Sequence, residues 1–179
     1  MQERAAKIKL LILDVDGVLT DGCLYYNSTG ELMQSFYVQD GLGLKFLANL
    51  GIKLAIITGR HSKVAEARAT ELGIDHFYQG RINKLEALKE LQANVQVELS
   101  EIAYMGDDVI DLPILSRVGL AACPRNAHSL ILGDVHFVSR YDGGKGAVRE
   151  LCDLILGAQN KLESIVVGAR ERGELFHAK

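Results

Sequence analysis

The strongest constraint on this chain is one short stretch, Leu11-Ile12-Leu13-Asp14-Val15-Asp16-Gly17-Val18-Leu19-Thr20, in which an apolar run ends abruptly in two aspartates and a glycine. An almost continuous apolar run suits a strand buried on both faces of a parallel sheet. Side chains two apart on a strand point to the same side. Asp14 and Asp16 therefore present two carboxylates together at the carboxyl edge, where open α/β sheets bind ligands. Two neighbouring carboxylates repel each other and call for a positive partner. A divalent cation is the natural one, and Mg²⁺ favours oxygen ligands with few protein carboxylates. The competing reading is a strand followed by a polar turn, since Asp and Gly are ordinary turn residues. The rest of the chain has to decide between them.

Beyond Thr20, strand-like and helix-like runs alternate. Residues 22–38 carry two β-prone runs around the turn-rich Asn27-Ser28-Thr29-Gly30 and read as a hairpin inserted after the first strand. Its aromatics, Tyr25, Tyr26, Phe36 and Tyr37, call for packing on the body or on another subunit, because an isolated hairpin is marginal. A helix opens near Asp40, a second buried strand covers 52–57, and 62–72 has helical composition with Gly73 as its stop. A short strand at 75–78, a helix over 82–91, a strand at 102–105 and a helix reaching Leu115 come next. Then come the short apolar stretch 119–122, a short helix near 127–132, a strand at 135–138 and a last helix over about 145–159. This alternation predicts an α/β fold, a doubly wound parallel sheet covered on both faces. The charged tail, 161–179, has the weakest pattern.

Composition narrows the classes. The 179 residues are enough for one domain with a sizeable core. Twenty basic against 23 acidic residues leave a net charge of −3, which sets up no global field for nucleic acid or anionic lipid. Cys23, Cys123 and Cys152 form no C-x-x-C pair and read as reduced thiols of a cytoplasmic protein. No apolar run approaches membrane-spanning length, and the polar start is unlike a signal peptide.

Three strands end in polar residues suited to one chemistry: Asp14 and Asp16, then Thr58-Gly59-Arg60, then Gly106-Asp107-Asp108 with Asp111 one helical turn on. Parallel strands bring their carboxyl ends to one edge, so these groups can converge, and Lys84 at a helix start can join them. Each has a plain structural rival. A Thr at a strand end also serves as a helix cap, a helix lysine is usually solvated, and aspartates favour helix amino ends. Gly143-Gly144-Lys145-Gly146 lacks the spacing of a phosphate-binding loop and reads as a tight turn into the last helix.

The ordered set D-x-D-G-V-x-T, Thr58, Lys84 and G-D-D-x-x-D resembles the haloacid dehalogenase superfamily of phosphohydrolases. Tyr37-Val38-Gln39-Asp40-Gly41, Ile57-Thr58-Gly59-Arg60, Phe77-Tyr78-Gln79-Gly80 and Gly143-Gly144-Lys145-Gly146-Ala147-Val148-Arg149-Glu150 resemble, within it, the 3-deoxy-D-manno-octulosonate 8-phosphate phosphatase family. The resemblance implies a single Rossmann-like hydrolase domain over 1–179 with a hairpin insertion in place of a cap domain. It implies a Mg²⁺-dependent phosphoric monoester hydrolase acting through a phosphoaspartyl intermediate in lipopolysaccharide precursor synthesis. Asp14 would be the nucleophile and Asp16 the acid and base, with Thr58 and Lys84 holding phosphoryl oxygens. The metal would be held by Asp14, the Asp16 main-chain carbonyl and Asp107, with Asp108 and Asp111 behind them.

By the same resemblance Asp16, Tyr37, Val38, Gln39, Asp40, Gly41, Lys45, Arg60, Arg68 and Lys84 would contact a small sugar-acid phosphate, and four copies would assemble, with hairpins at the tetramer centre. Two positions depart from the family pattern, where Arg often stands at the positions of Gln39 and Lys45. The alternatives are another sugar-acid phosphate, such as a nonulosonate 9-phosphate, and a non-catalytic phosphoacceptor module.

Overall fold

The computed structural model describes residues 1–30 and 32–173. In chain order the elements are α1 (Gln2–Ala5), β1 (Leu10–Leu13), β2 (Tyr25–Tyr26), β3 (Leu32–Met33), α2 (Val38–Asn49), β4 (Lys53–Ile57), α3 (Lys63–Leu72) and β5 (His76–Tyr78). They continue with α4 (Lys84–Val95), β6 (Ile102–Met105), α5 (Leu112–Leu115), β7 (Leu120–Cys123), β8 (Phe137–Val138), α6 (Ala147–Ala158) and α7 (Leu162–Arg172). Six strands form one sheet in the order β5-β4-β1-β6-β7-β8, every pair parallel. The chain leaves β1 toward β4 and β5, then returns to the other side of β1 for β6, β7 and β8. The order reverses at β1, so the carboxyl edge of β1 is the switch point, where such sheets leave a crevice.

The apolar strands explain this placement. All four residues of β1 are buried, and alternate ones serve opposite faces. Leu11 and Leu13 join Leu54, Ile56, Ala103 and Met105 in a cluster completed by α2, α3 and α6. Leu10 and Ile12 join Ala55, Ile57, Ile102 and Tyr104 in a second cluster completed by α4 and α5. Each Leu, Ile or Met side chain among them taken out of water contributes about 1.5–3 kcal/mol, which holds the strand ends in register. The helices begin and end where local chemistry directs. Ser62 accepts the Ala65 N–H at 3.1 Å to start α3, and Gly73, at φ +70°, ends it in the left-handed conformation.

The structure differs from the sequence expectation at several boundaries. The hairpin strands are two residues each, because Phe36 turns in against the core and the chain enters α2 at Val38. Helix α4 starts at Lys84, not at residue 82. Ile82, in register with the helical stripe, lies in the preceding loop and is 79% exposed. The segment after Asp108 is a 3₁₀ turn followed by the four-residue α5, and 129–134 is also 3₁₀. Within the tail, α7 is an unexpected helix. Leu162 and Ile165 pack against the core and Gly168 is buried on the same stripe. Residues 174–179 of the expected tail lie outside the described residues.

One backbone contact fixes the loop that carries Asp16. Gly144 donates its N–H to the Val18 carbonyl at 2.9 Å. A Cβ on Gly143 would lie 1.7 Å from the Gly17 carbonyl oxygen. The Gly143-Gly144 turn thus braces the loop after β1 from behind, and no flexible side chain stands there to give way. Gly143→Ala should cost about 1–3 kcal/mol of unfolding free energy, read by urea denaturation; a loss under about 0.5 kcal/mol would contradict the brace.

Candidate active site

The register of the sheet assembles the site. Leu13 of β1 sits opposite Ile56 of β4 and Met105 of β6, so Asp14, Thr58 and Asp107 emerge from adjacent strand ends. They open onto a cleft of about 490 Å³ lined by Asp14, Asp16, Gly22, Thr58, Gly59, Arg60, Asp107, Asp108 and Ile110. Thr58 is tied into its surroundings by its own backbone. Its N–H donates to the Tyr78 carbonyl at 2.9 Å, and its carbonyl accepts the Arg81 N–H at 2.9 Å. That second bond draws the loop of residues 79–83 to the edge, so α4 begins with Lys84 beneath the cleft.

Lys84 has no exposed surface, and its Nζ lies 2.6 Å from Asp14 Oδ2 and 2.6 Å from Asp111 Oδ1. Asp111 is equally enclosed. Its Oδ1 accepts from Lys84 and the Tyr104 hydroxyl, and its Oδ2 accepts the N–H groups of Asp107 at 2.9 Å and Asp108 at 3.1 Å. A carboxylate offers about four acceptor sites, and all four are taken. Asp14, Asp107 and Asp111 lie close enough together to surround a cation. Asp111 is already saturated, so the carboxylates with capacity to spare are Asp14 and Asp107. Asp107 owes its position to Gly17, since a Cβ there would lie 2.0 Å from Asp107 Oδ2.

The titration of these groups follows from burial and charge. Burial, partly opposed by Lys84, raises Asp14 to about 6. Burial, with Asp14 and Asp111 nearby, raises Asp107 to about 7. Burial alone would push the Lys84 ammonium down, but Asp14 and Asp111 outweigh it and hold it above the ordinary lysine value. Burial and the same two carboxylates hold the Tyr104 hydroxyl well above its usual range, as a proton donor. The pocket thus holds two carboxylates that lack sufficient positive charge and one buried ammonium that cannot leave.

Asp16 stands apart at the rim. Its Oδ1 accepts from Gln34 Nε2 at 2.8 Å and its Oδ2 from Arg60 Nε at 3.1 Å. Asp108 is exposed and accepts its neighbour's Val109 N–H at 2.6 Å. The structure therefore brings together Asp14, Asp16, Thr58, Arg60, Lys84, Asp107, Asp108 and Asp111.

It places the remaining sequence candidates elsewhere. Asp40 is buried and accepts the N–H groups of Arg149 at 2.8 Å and Gly146 at 3.4 Å, which caps α6. Burial raises it to about 6, against the pull of those two N–H groups. Arg68 lies over the Phe36 ring and pairs with Glu71 at 2.8 Å, and a Cβ on Gly41 would lie 2.2 Å from its guanidinium. Lys45 is near Glu71. Tyr37 and Gln39 line a separate groove with Arg140 and Arg149, and Val38 is exposed. Asp40, Gly41, Lys45 and Arg68 thus belong to the α2–α3–α6 packing of this chain and do not line the Asp14 cleft.

Sequence reasoning missed Tyr104, Gln34 and Ser62. Tyr104 had a signal, being the lone hydroxyl in the buried strand Ile102–Met105. Gln34 and Ser62 meet only through the fold, where Ser62 Oγ donates to Gln34 Oε1 at 2.6 Å.

Lys84→Met tests the electrostatics. Removing one partner of a buried ionic group costs about 3–5 kcal/mol. At pH 8, without added metal, we expect a loss of that order in urea denaturation. At pH 5 the loss should shrink, because Asp14, raised to about 6 by burial, can take up a proton once its counter-ion is gone. A pH-independent loss below about 1 kcal/mol would contradict the assignment.

A family model described as haloacid dehalogenase-like hydrolase matches residues 76–151. The chain is 52% identical over 161 residues to the 3-deoxy-D-manno-octulosonate 8-phosphate phosphatase KdsC of Yersinia pestis, covering 90% of this chain and 86% of that protein. It is 47% identical over 160 residues to the Escherichia coli K12 protein of the same name, covering 89% and 85%. Among solved structures it superposes on the Y. pestis phosphatase with a TM-score of 0.89 at 51% identity, covering 90% and 88% of the two chains. It also superposes on the Moraxella catarrhalis 3-deoxy-D-manno-octulosonate 8-phosphate phosphatase, solved in complex with magnesium ion, phosphate ion and KDO. There the TM-score is 0.91 at 45% identity, covering 93% and 95%. With its strand-end carboxylates at the switch point, this chain belongs to the haloacid dehalogenase-like hydrolases, in the family of the 3-deoxy-D-manno-octulosonate 8-phosphate phosphatases.

Proposed function

We propose that the chain is a capless Mg²⁺-dependent phosphatase that hydrolyses 3-deoxy-D-manno-octulosonate 8-phosphate to the free sugar acid and phosphate, in the cytoplasm, as a step of lipopolysaccharide precursor synthesis. The observation that carries this reading is the pair Asp14 and Asp107 facing one cleft over the buried Lys84, in a chain with relatives of that activity. The donors fit the metal: Asp14, Asp107 and the main-chain carbonyl of Asp16 are hard oxygens, the set Mg²⁺ takes together with water. The raised titration of Asp14 and Asp107 is the mark of carboxylates awaiting a cation. Bound there, Mg²⁺ supplies positive charge to the phosphoryl oxygens and keeps Asp14 ionised.

The chain's own residues do the rest. Lys84 and the Val15 N–H, at 2.6 Å each from the two Asp14 oxygens, fix the nucleophile's orientation. Asp14 attacks phosphorus, forming an aspartyl–phosphate bond as the bond to the sugar oxygen breaks. Asp16 gives that oxygen its proton and then takes one from the water that releases phosphate. Thr58 holds a phosphoryl oxygen, Lys84 acts from beneath through Asp14, Asp111 and Tyr104 hold Lys84, and Asp108 orders the turn between Asp107 and Asp111. Arg60, 41% exposed at the rim, suits the carboxylate of a sugar acid. An acid at the position of Asp16 favours turnover over a stable phosphoacceptor.

No helix among the described residues is long and apolar enough to cross a membrane. The hairpin exposes Tyr25, Tyr26 and Met33, and these exposed apolar side chains support assembly into a homotetramer, hairpin against hairpin. In that assembly the exposed Tyr37, Val38 and Gln39 would serve the cleft of a neighbouring copy.

Phosphate release from a panel of sugar phosphates with Mg²⁺ tests the reading. Clear preference for 3-deoxy-D-manno-octulosonate 8-phosphate is expected, with Asp14→Asn slower by roughly a thousandfold or more. Equal weak turnover of all substrates would overturn the substrate, and an active Asp14→Asn would overturn the mechanism.

A further inference from the structure

Asp16 is held at the rim of the cleft by two side chains from separate segments. Its two oxygens are held from opposite sides, one by Arg60 and the other by Gln34. The two partners differ in how they are themselves held. Arg60 is exposed, with Asp16 as its ion-pair partner. Gln34 is anchored, because its Oε1 accepts from Ser62 Oγ at 2.6 Å, and Ser62 Oγ accepts the Ala65 N–H at 3.1 Å as the cap of α3. The Ser62 N–H in turn donates to Gln79 Oε1 at 3.1 Å.

This chain of bonds has one consistent direction. An amide nitrogen only donates, so Gln34 faces Asp16 Oδ1 with its NH₂. The Gln34 oxygen then faces Ser62, whose hydroxyl is free to donate because the Ala65 N–H occupies an acceptor site. The amide is locked at both ends, and the lock runs from the start of α3 to the flank of the hairpin and on to Asp16.

We propose that Gln34 is a positioning residue that keeps the Asp16 carboxyl aimed at the scissile oxygen while Arg60 turns to the substrate. The proposal rests on the phosphatase reading above and adds a division of labour within it: the exposed cation binds, and the anchored amide holds. Asp16 acts when the phosphorus–oxygen bond to the sugar breaks. The electron pair stays on the sugar oxygen and the proton comes from Asp16. A misaimed acid therefore slows departure of an alkoxide. It matters little for a phenolate that leaves without a proton.

The leaving-group dependence of kcat/KM, which reports steps up to phosphoryl transfer, is the test. Wild type, Gln34→Met and Gln34→Glu are compared on 3-deoxy-D-manno-octulosonate 8-phosphate and on p-nitrophenyl phosphate, with thermal melting as the check on folding. Gln34→Met keeps the side chain's length and removes the donor. Gln34→Glu keeps an acceptor for Ser62 and sets a second carboxylate against Asp16. Both variants should lose roughly tenfold or more on the sugar phosphate, mainly in kcat, and less than about threefold on the aryl ester. Equal losses on both substrates would show a merely structural role, and no loss on either would show no role; both results overturn the proposal. If wild type released phosphate from the aryl ester and not from the sugar phosphate, the substrate reading would fall. A second alkyl phosphate that it does hydrolyse would then test Gln34 by the same ratio.

Discussion

The buried ammonium of Lys84 is the interaction on which the site depends. It lies between Asp14 and Asp111 with no exposed surface, and a lone ion in that position would be too costly to keep. Two carboxylates and a tyrosine hydroxyl make it tolerable, and the arrangement works in both directions. Lys84 fixes the Asp14 carboxylate from below, and Asp111, saturated by Lys84, Tyr104 and two backbone N–H groups, fixes the turn that carries Asp107. Such a network adds little stability against an apolar replacement. What it secures is geometry, with the carboxylate of Asp14 and the turn of Asp107 set by one rigid unit.

The sheet delivers these groups with few degrees of freedom. The order reversal at β1 leaves a crevice above its carboxyl end, and the pairing of Leu13 with Ile56 and Met105 sets the depths of Asp14, Thr58 and Asp107. The Gly143-Gly144 turn closes the loop of Asp16 from behind through backbone contact alone. Asp40 secures α2 to the start of α6. The site therefore rests on strands and backbone, and only its rim, with Arg60, Gln34 and the hairpin, is built from side chains near solvent.

Much of this was legible in the sequence where one local rule acts alone. Buried strands 10–13, 53–57 and 102–105 announce themselves as apolar runs, and Asp14, Thr58 and Asp107 stand at or just past their ends. Where tertiary contact overrides local pattern, legibility fails. Ile82 fits the helical stripe, yet the Arg81 bond to Thr58 keeps it in a loop. The helix α7 is hidden by its charged face, although Leu162, Ile165 and Gly168 share one stripe. Asp40 and Arg68 read as substrate ligands by position, and in the fold of one chain the first is a cap and the second a packing cation. Gln34 carries no local signal, because its meaning lies in the distance from Ser62 to Asp16 across three separate segments.

The central claim is that Asp14 itself receives the phosphoryl group. Rapid acid quench during turnover, followed by borohydride reduction and peptide mass spectrometry, reads the acceptor directly, since an acyl phosphate is reduced to the alcohol and a free carboxylate is not. The account requires homoserine at position 14 in the quenched enzyme and aspartate at 16, 107, 108 and 111. Homoserine at any of those other positions, or unmodified Asp14 under quench conditions that trap the intermediate of a related phosphatase, would contradict it.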